Sequence, residues 1–247
     1  MNMNFIREVQ VRQECLSEDF YIRQIPALAE LPELVLENPM TFLVGENGSG
    51  KSTLLEGIAV AWGFNPEGGT RNFNFSTRDT HSELGQAIRL VKGIRKPSDE
   101  FFLRAESFYN VASQIDDYEE ERSGYLQYYG GKSLHCQSHG ESFLALAQNR
   151  FRSRGLYLLD EPEAALSPQR QLTLLLAIYN YLKSGAQFII ATHSPILLGI
   201  PEAEILSLDD GYIHPISYEE ADCFQVMEMF INNREVMLKR LLSDDNG

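Results

Sequence analysis

Hydrophobic and polar positions follow two different periods along the chain, and together they predict an α/β protein. Short apolar runs without alternation, typical of buried strands, are followed by stretches with an apolar residue every three to four positions, typical of helices. In the second half of the chain the order is helix, strand, helix, strand, which implies parallel strands joined by crossover helices. The first forty residues contain three prolines between short apolar stretches and predict strands and turns.

The pattern sets bounds for the predicted elements. Strands are expected at 41–44, 86–94, 101–106, 156–159, 188–191, 204–208 and 212–214. Helices are expected at 51–62, 107–121, 141–151 and 169–182, and a C-terminal helix from the capping box Ser217–Glu220 to about 242. The strands at 86–94 and 101–106 flank a turn-rich segment and are expected to pair with each other. We expect a single domain over 1–247 with an inserted lid, or helical subdomain, at approximately 64–135.

Composition narrows the class of protein. The 247 residues are 43% hydrophobic, which is enough for a buried core. No apolar run approaches the roughly 20 residues that a membrane helix needs. Three widely spaced cysteines, Cys15, Cys136 and Cys223, predict neither a disulfide framework nor a zinc site. We therefore expect a cytoplasmic protein without direct membrane insertion.

Charge is unevenly distributed. The net charge of −14, from 21 basic and 35 acidic residues, argues against a surface that binds nucleic acid over its whole extent. Residues 68–104 nevertheless contain seven basic and four acidic side chains, a local excess of +3. Nucleic acid therefore stays open as a partner, although charge runs are more often simply solvated.

The strand at 41–44 leads directly into a complete phosphate-loop pattern, Gly45-x4-Gly50-Lys51-Ser52. Glycines let backbone N–H groups turn towards phosphate oxygens, and the following helix presents the positive end of its dipole to the same anion. In this pattern Lys51 contacts the β- and γ-phosphates, and the Ser52 hydroxyl contacts Mg²⁺. The predicted nucleotide-binding residues are Gly45, Glu46, Asn47, Gly48, Ser49, Gly50, Lys51, Ser52 and Thr53.

Two later apolar strands also end in polar residues. The strand at 156–159 leads to Asp160 and Glu161, the Walker B form, in which Asp160 holds the metal and Glu161 orients and deprotonates the attacking water. The strand at 188–191 leads to His193, which we expect beside the γ-phosphate. The predicted catalytic residues are Lys51, Glu161 and His193, and the predicted metal contacts are Ser52 and Asp160.

A second anion-binding pattern lies before the helix at 141–151. Ser138-His-Gly140-Glu141-Ser142 combines serines and a glycine at the start of a helix. Two such helix ends do not easily fit one γ-phosphate within a single chain. We therefore expect Ser138, Gly140 and Glu141 to act on the ATP of a second subunit.

The motifs resemble those of an ABC-type ATPase, and they occur in the order Gly45–Ser52, Ser138–Ser142, Leu156–Glu161 and His193. The run Asp160–Pro168 is similar to the corresponding run in one branch of these ATPases, the branch that contains chromosome-maintenance (SMC), repair and OLD-like proteins. The segments Thr41–Glu56 and Phe102–Ser107 resemble a stand-alone bacterial family of predicted ATPases (the AAA/ABC class), which consist of one ATPase head.

The resemblance implies a P-loop NTPase fold of the ABC type, with a mainly parallel sheet flanked by helices and an antiparallel N-terminal β portion. It also implies an ATP-dependent homodimer in which each ATP lies between the phosphate loop of one chain and the signature motif of the other. The signature motif corresponds here to Ser138, Gly140 and Glu141. The chain departs from the family pattern because Ser167 stands at the D-loop aspartate position and no clear Q-loop glutamine exists. Glu106 is the positional candidate for a contact with the metal.

The biological role stays open between three classes. The first is a soluble ATPase, with ATP and Mg²⁺, that acts on an unidentified protein partner or other macromolecule. The second is a nucleic-acid repair or anti-phage defence ATPase, which the local basic excess favours. The third is the ATP-binding subunit of an ABC transporter, which the unusual region in place of the Q-loop disfavours.

Overall fold

A computed structural model gives the fold of residues 4–17, 21–71, 83–121, 123–136 and 139–243. The strands in these ranges are β1 (Ile6–Val11), β2 (Glu33–Val35), β3 (Met40–Val44), β4 (Ile88–Lys92), β5 (Asp99–Arg104), β6 (Gly155–Asp160), β7 (Gln187–Ala191), β8 (Glu204–Ser207) and β9 (His214–Ile216). The helices are α1 (Pro26–Ala29), α2 (Lys51–Trp62), α3 (Glu83–Ala87), α4 (Phe108–Glu121), α5 (His139–Arg150), α6 (Pro168–Lys183), α7 (Pro195–Leu198), α8 (Asp222–Asn232) and α9 (Arg234–Leu242). Within these ranges, no helix has the length and apolar character needed to cross a bilayer.

The central feature is a six-stranded sheet in the order β5-β6-β7-β3-β8-β9. Its first five strands are parallel, and β9 runs antiparallel to β8. The register pairs Arg104 with Asp160, Asp160 with Ala191, and Val44 with Ser207. The residues that follow these strand ends therefore share one edge of the sheet, and the predicted mainly parallel sheet is confirmed.

The two faces of this sheet are covered by separate cores, because successive side chains of a strand point to opposite faces. Tyr157 and Leu159 of β6 pack with α4, α5 and α6. Leu156 and Leu158 of the same strand belong to the other core, which contains α2 and the N-terminal strands. Both faces of β6 are buried, which explains its continuous apolar sequence.

A small antiparallel sheet, β2-β1-β4, lies against the second face and confirms the predicted antiparallel N-terminal portion. Gln187, buried at the start of β7, joins it to the main sheet. Its side-chain oxygen accepts the N–H groups of Phe5 and Ile6 at 2.8 and 2.9 Å, and its amide donates to the Ile6 carbonyl at 2.8 Å.

The expected pairing of the strands around residues 95–99 is wrong. β4 pairs antiparallel with β1, whereas β5 pairs parallel with β6 in the main sheet. The turn-rich segment between them favours a hairpin locally, but Phe101, Phe102 and Leu103 are all fully buried, as expected for a strand inside a parallel sheet. The lid boundaries at 64–135 stay a prediction, although two strands of that range belong to the sheets.

The C-terminal segment forms two helices where one is expected. The capping box is present, with the Ser217 N–H donating to the Glu220 carboxylate at 2.7 Å, but it opens a short 3-10 turn, and α8 follows it. Asn233 separates α8 from α9 with φ −129° and ψ 30°. Asparagine is a weak helix former, which accounts for the break. None of the residues of α8 and α9 is buried.

Candidate functional site

The predicted phosphate loop connects the end of β3 to the start of α2. Gly45 and Gly50 adopt φ values of +143° and +103°. A Cβ at Gly45 would lie 2.8 Å from the Ser49 hydroxyl, and one at Gly50 would lie 2.7 Å from Ile25. Both the backbone conformation and the space therefore require glycine at these two positions.

Lys51 folds back over this loop. Its ammonium donates to the carbonyls of Gly45 and Glu46, each at 2.8 Å, and the residue is 4% exposed. Burial lowers the pKa of Lys51, an effect opposed by nearby carboxylates, of which Glu161 and Asp209 are the strongest. The ammonium thus lies at the phosphate loop among carboxylates that keep it charged.

The two predicted metal contacts touch each other. The Ser52 hydroxyl, in the first turn of α2, donates to Asp160 Oδ1 at the end of β6 over 2.8 Å. Burial raises the pKa of Asp160 to about 6, against the opposing effects of the Ser52 hydrogen bond and Arg104. A hydroxyl and a buried carboxylate side by side are hard oxygen ligands that fit Mg²⁺.

Glu161 and His193 lie at the neighbouring strand ends. Glu161 Oε1 is 3.9 Å from His193 Nε2. Glu161 has a φ of +49°, unusual for a residue with a side chain, and its N–H donates to the Ala191 carbonyl at 2.9 Å. Strain of this kind is common where a side chain must be aimed at a substrate.

Several polar atoms of the candidate site are shielded from solvent without a hydrogen-bond partner among the described residues. The Ser49 hydroxyl and His193 Nε2 are among them. Buried polar atoms are normally paired, so each of these points to a polar group that the site receives from a ligand. The residues present therefore fit a bound nucleotide and its metal.

Glu163 supports His193 and was not singled out from the sequence. Its carboxylate accepts the His193 backbone N–H at 2.6 Å, and burial raises its pKa. The contact fixes the segment that follows β7 against the segment that follows β6. Its position in the Asp160-Glu-Pro-Glu run is the sequence signal that could have identified it.

Arg104, at the end of β5, was also missed. Its guanidinium contacts Glu56 of α2 at 2.7 Å and lies 3.7 Å from Asp160. It is also 3.8 Å from Glu106, whose side chain is 88% exposed. Arg104 therefore links the phosphate-loop helix to the Walker B strand, while the predicted metal contact of Glu106 stays a prediction.

Asp209 is a third missed residue, located after β8. Its Oδ1 accepts the Glu46 N–H at 2.9 Å, and a Cβ at Gly45 would lie 3.0 Å from the same oxygen. Asp209 thus holds the first turn of the phosphate loop. The Asp209-Asp-Gly run after an apolar strand is a polar strand end like those of β6 and β7, and this was the available signal.

The predicted signature lies at the start of α5. Glu141 Oε1 is 3.2 Å from Arg170 Nη2, and a Cβ at Gly140 would lie 2.7 Å from the Ala165 carbonyl. Ser138 is outside the described residues. Ser167, at the D-loop aspartate position, caps α6 by accepting the Arg170 N–H at 3.4 Å.

Part of the local basic excess is engaged in contacts. Arg71 pairs with Glu100 at 2.6 Å, and both Arg71 and Lys92 lie over the Trp62 ring, at 5.0 and 4.2 Å from its centroid. Arg104 belongs to the candidate site, and Arg78 is outside the described residues. These contacts reduce the number of basic groups offered to nucleic acid.

The raised pKa of Asp160 predicts a cost in stability. A carboxyl whose pKa is raised by folding favours the folded state while it is protonated. This contribution to stability is complete below the ordinary pKa of the group and is lost as pH rises through about 6. We expect Asp160→Asn to raise the free energy of unfolding of the nucleotide-free protein at pH 8 by roughly 1 to 3 kcal/mol, with little change at pH 4. Urea titrations at both pH values measure this, with the exposed Asp117→Asn as the control of equal charge change. An equal effect at both pH values would contradict the burial of a charged carboxylate.

The strand order and the site agree with the expected P-loop fold, and two parts of the chain are similar to AAA-domain families. Residues 142–199 match the family model described as "AAA domain, putative AbiEii toxin, Type IV TA system", and residues 21–129 match an "AAA domain" model. The two matched ranges cover the segments on either side of the signature, including the end of β3, the phosphate loop and the Walker B strand.

Among known proteins, the chain is similar to a putative ABC transporter ATP-binding protein of Caldanaerobacter subterraneus. The two are 29% identical over 189 residues, which cover 70% of this chain and 77% of the relative. Similar solved structures include the SMC head domain from Thermotoga maritima (15% identity, 86% and 99% coverage, TM-score 0.46). Another is a dimeric ATP-binding cassette in a post-hydrolysis state bound to ADP and Pi (18% identity, 87% and 97% coverage, TM-score 0.46). Both TM-scores are below 0.5, so neither likeness says what this chain does.

Proposed function

We propose that the protein binds and hydrolyses ATP with Mg²⁺, as a dimer in which each ATP lies between two chains. The observation that carries this proposal is the 2.8 Å hydrogen bond between Ser52 and Asp160. It joins the first turn after the phosphate loop to the end of the Walker B strand, which supports a single site for the nucleotide and its metal.

Binding would use the glycine-rich backbone and Lys51. The N–H groups from Gly48 to Thr53, at the positive end of α2, would donate to phosphate oxygens. The Lys51 ammonium would exchange the carbonyls of Gly45 and Glu46 for the β- and γ-phosphates. Mg²⁺, when held by Ser52 and Asp160, would neutralise part of the phosphate charge.

Hydrolysis would depend on Glu161 and His193. Glu161 would take a proton from the attacking water, whose oxygen forms the new bond to the γ-phosphorus while the bond to the ADP oxygen breaks. His193 would donate from Nε2 to a γ-phosphate oxygen, which would give this shielded atom its missing partner. Glu163 would keep the histidine in place through its hydrogen bond to the backbone.

The dimer would be completed by Ser138, Gly140 and Glu141 of the second chain. Binding of ATP would favour the closed dimer, and hydrolysis would reopen it. A second candidate, an ATP-binding subunit of a transporter, is favoured by the description of the 29% identical relative. The defence or repair role is a third candidate, which DNA-stimulated hydrolysis with a steep salt dependence would support.

The basic test is phosphate release from ATP by the purified protein. We expect release that requires Mg²⁺ and stops when EDTA removes it, because Asp160 and Ser52 without the metal leave the phosphate charge unbalanced. The variant Asp117→Asn, an exposed change away from the site, should match the wild type. Release that is unchanged by EDTA would contradict the proposed metal dependence.

A further inference from the structure

A groove separates the C-terminal helices from the end of the main sheet. It encloses about 1080 Å³. One wall belongs to α8 and α9. The opposite wall is formed by the first residues of the phosphate loop, by the segment after β7 that contains His193, and by the ends of β8 and β9. The residues on the helix wall are Cys223, Val226, Met227, Phe230, Met237 and Leu241.

The helix wall is an apolar stripe. Its residues on α8 are spaced three and four positions apart, so they lie on one side of the helix. Phe230 is 37% exposed and Leu241 is 70% exposed, although the main core lies nearby. Contiguous exposed apolar surface of this kind marks an interaction site, and an apolar groove beside helices typically receives another helix.

Apart from His193 and His214, the titratable groups of the remaining lining are carboxylates. Five carboxylates border the groove, and the described lining includes neither lysine nor arginine. They are Glu46, Asp209, Asp210, Glu220 and Asp222. These carboxylates favour a cationic occupant. The groove adjoins the candidate nucleotide site, because Gly45, Glu46 and His193 belong to its lining, whereas Lys51 and Asp160 do not.

The volume fits a short helix. A helix is at least about 10 Å across and rises 1.5 Å per residue, so a volume of this size holds roughly two to three turns. We propose that the groove binds an amphipathic helix of a partner protein, with its apolar face on α8 and α9 and its lysine or arginine side chains on the carboxylates. A second copy of this chain is a poorer match for the acidic wall, because its own net charge is −14.

The occupant would lie beside the phosphate loop. Glu46 and Asp209 both line the groove, and they are joined by the 2.9 Å hydrogen bond that holds the first turn of the loop. The inference goes beyond ATP hydrolysis and can be tested without nucleotide, so its failure would leave the proposed ATPase function intact.

The probe is a fluorescein-labelled 18-residue peptide of leucine and lysine with helical periodicity, titrated with the nucleotide-free protein and followed by fluorescence anisotropy. A peptide of the same composition, in an order that gives no apolar face, has equal charge and is the control. We expect the amphipathic peptide to bind at least about tenfold more tightly, since only it buries an apolar face. Equal affinities would mean that charge alone accounts for binding of the peptide, and this result would overturn the proposal.

Matched variants locate the binding site. Phe230→Ser removes a lining side chain, whereas Ile231→Ser changes its neighbour on α8, which is 67% exposed and outside the lining. Asp210→Asn neutralises a lining carboxylate and tolerates its φ of +61°, whereas Glu228→Gln neutralises a carboxylate of α8 outside the lining. We expect Phe230→Ser to weaken peptide binding roughly tenfold and Asp210→Asn about threefold, with little effect of either control.

Two further results would overturn the proposal. The first is an equal loss of affinity for each lining variant and its control. The second is a concentration-dependent dimer of the nucleotide-free wild type, detected by light scattering, that Phe230→Ser dissociates, because a second copy would then occupy the groove. None of the substituted side chains is buried, so circular dichroism should show that all four variants fold.

Discussion

Glu161→Gln is expected to abolish ATP hydrolysis and to accumulate an ATP-bound dimer. The substitution keeps the size of the side chain and removes the carboxylate that would accept the proton of water, so hydrolysis should fall by roughly 10² to 10⁴-fold. ATP binding should persist, because Lys51 and the loop N–H groups are unchanged. Size-exclusion chromatography with light scattering should then give twice the mass of the chain with ATP and Mg²⁺, and a monomer without nucleotide.

The chain offers a close control for this experiment. Glu202 is also a glutamate with positive φ, +61°, and it is exposed after α7 and outside the candidate site. Glu202→Gln should hydrolyse ATP like the wild type and should not trap a dimer. Adding Ser138→Arg to Glu161→Gln should prevent the dimer if the signature acts on the second chain. A Glu161→Gln protein that stays monomeric at high protein and ATP concentrations would refute the sandwich arrangement.

Lys51→Ala should remove nucleotide binding. The ammonium is the one cation that the phosphate-loop pattern directs at the β- and γ-phosphates. Without it, the repulsion between the triphosphate and the nearby carboxylates of Glu161, Asp209 and Asp160 would increase. We expect the affinity for a fluorescent ATP analogue, followed by anisotropy, to fall by more than about 100-fold.

Lys183→Ala is the control for this loss. Lys183 is an exposed lysine at the end of α6 whose ammonium lies over the Tyr179 ring at 4.3 Å. Its removal changes the net charge equally and should leave the affinity within about twofold. Nucleotide binding that survives in Lys51→Ala, in protein shown to be folded by circular dichroism, would refute the assignment of the phosphate loop.

The parts of the site that could be predicted are those encoded by contiguous residues. The phosphate loop, Asp160 with Glu161, and His193 each follow an apolar strand, and parallel strands deliver such ends to the same edge. The structure accordingly brings Ser52 to Asp160 and Glu161 to His193. Their chemical roles stay predictions until the variants are measured.

The residues that were missed act through contacts between distant parts of the chain. Arg104 reaches Glu56 across 48 positions, and Asp209 reaches the Glu46 N–H across 163. Neither contact leaves a local pattern, because it depends on the strand order of the folded sheet. The incorrect prediction that β4 pairs with β5 has the same origin. The local turn signal between them favoured a hairpin, but the burial of β5 beside β6 outweighs it in the folded sheet.

The lack of buried residues in α8 and α9 has a consequence for local unfolding. Helices that pack few apolar side chains open with free energies well below that of global unfolding, whereas the buried strand β6 should open only with the whole domain. Backbone amides of α8 and α9 should therefore exchange with deuterium long before those of the sheet. Because a bound helix would have to be released before α8 could open, slowed exchange in this segment alone would report occupancy of the groove in the intact protein.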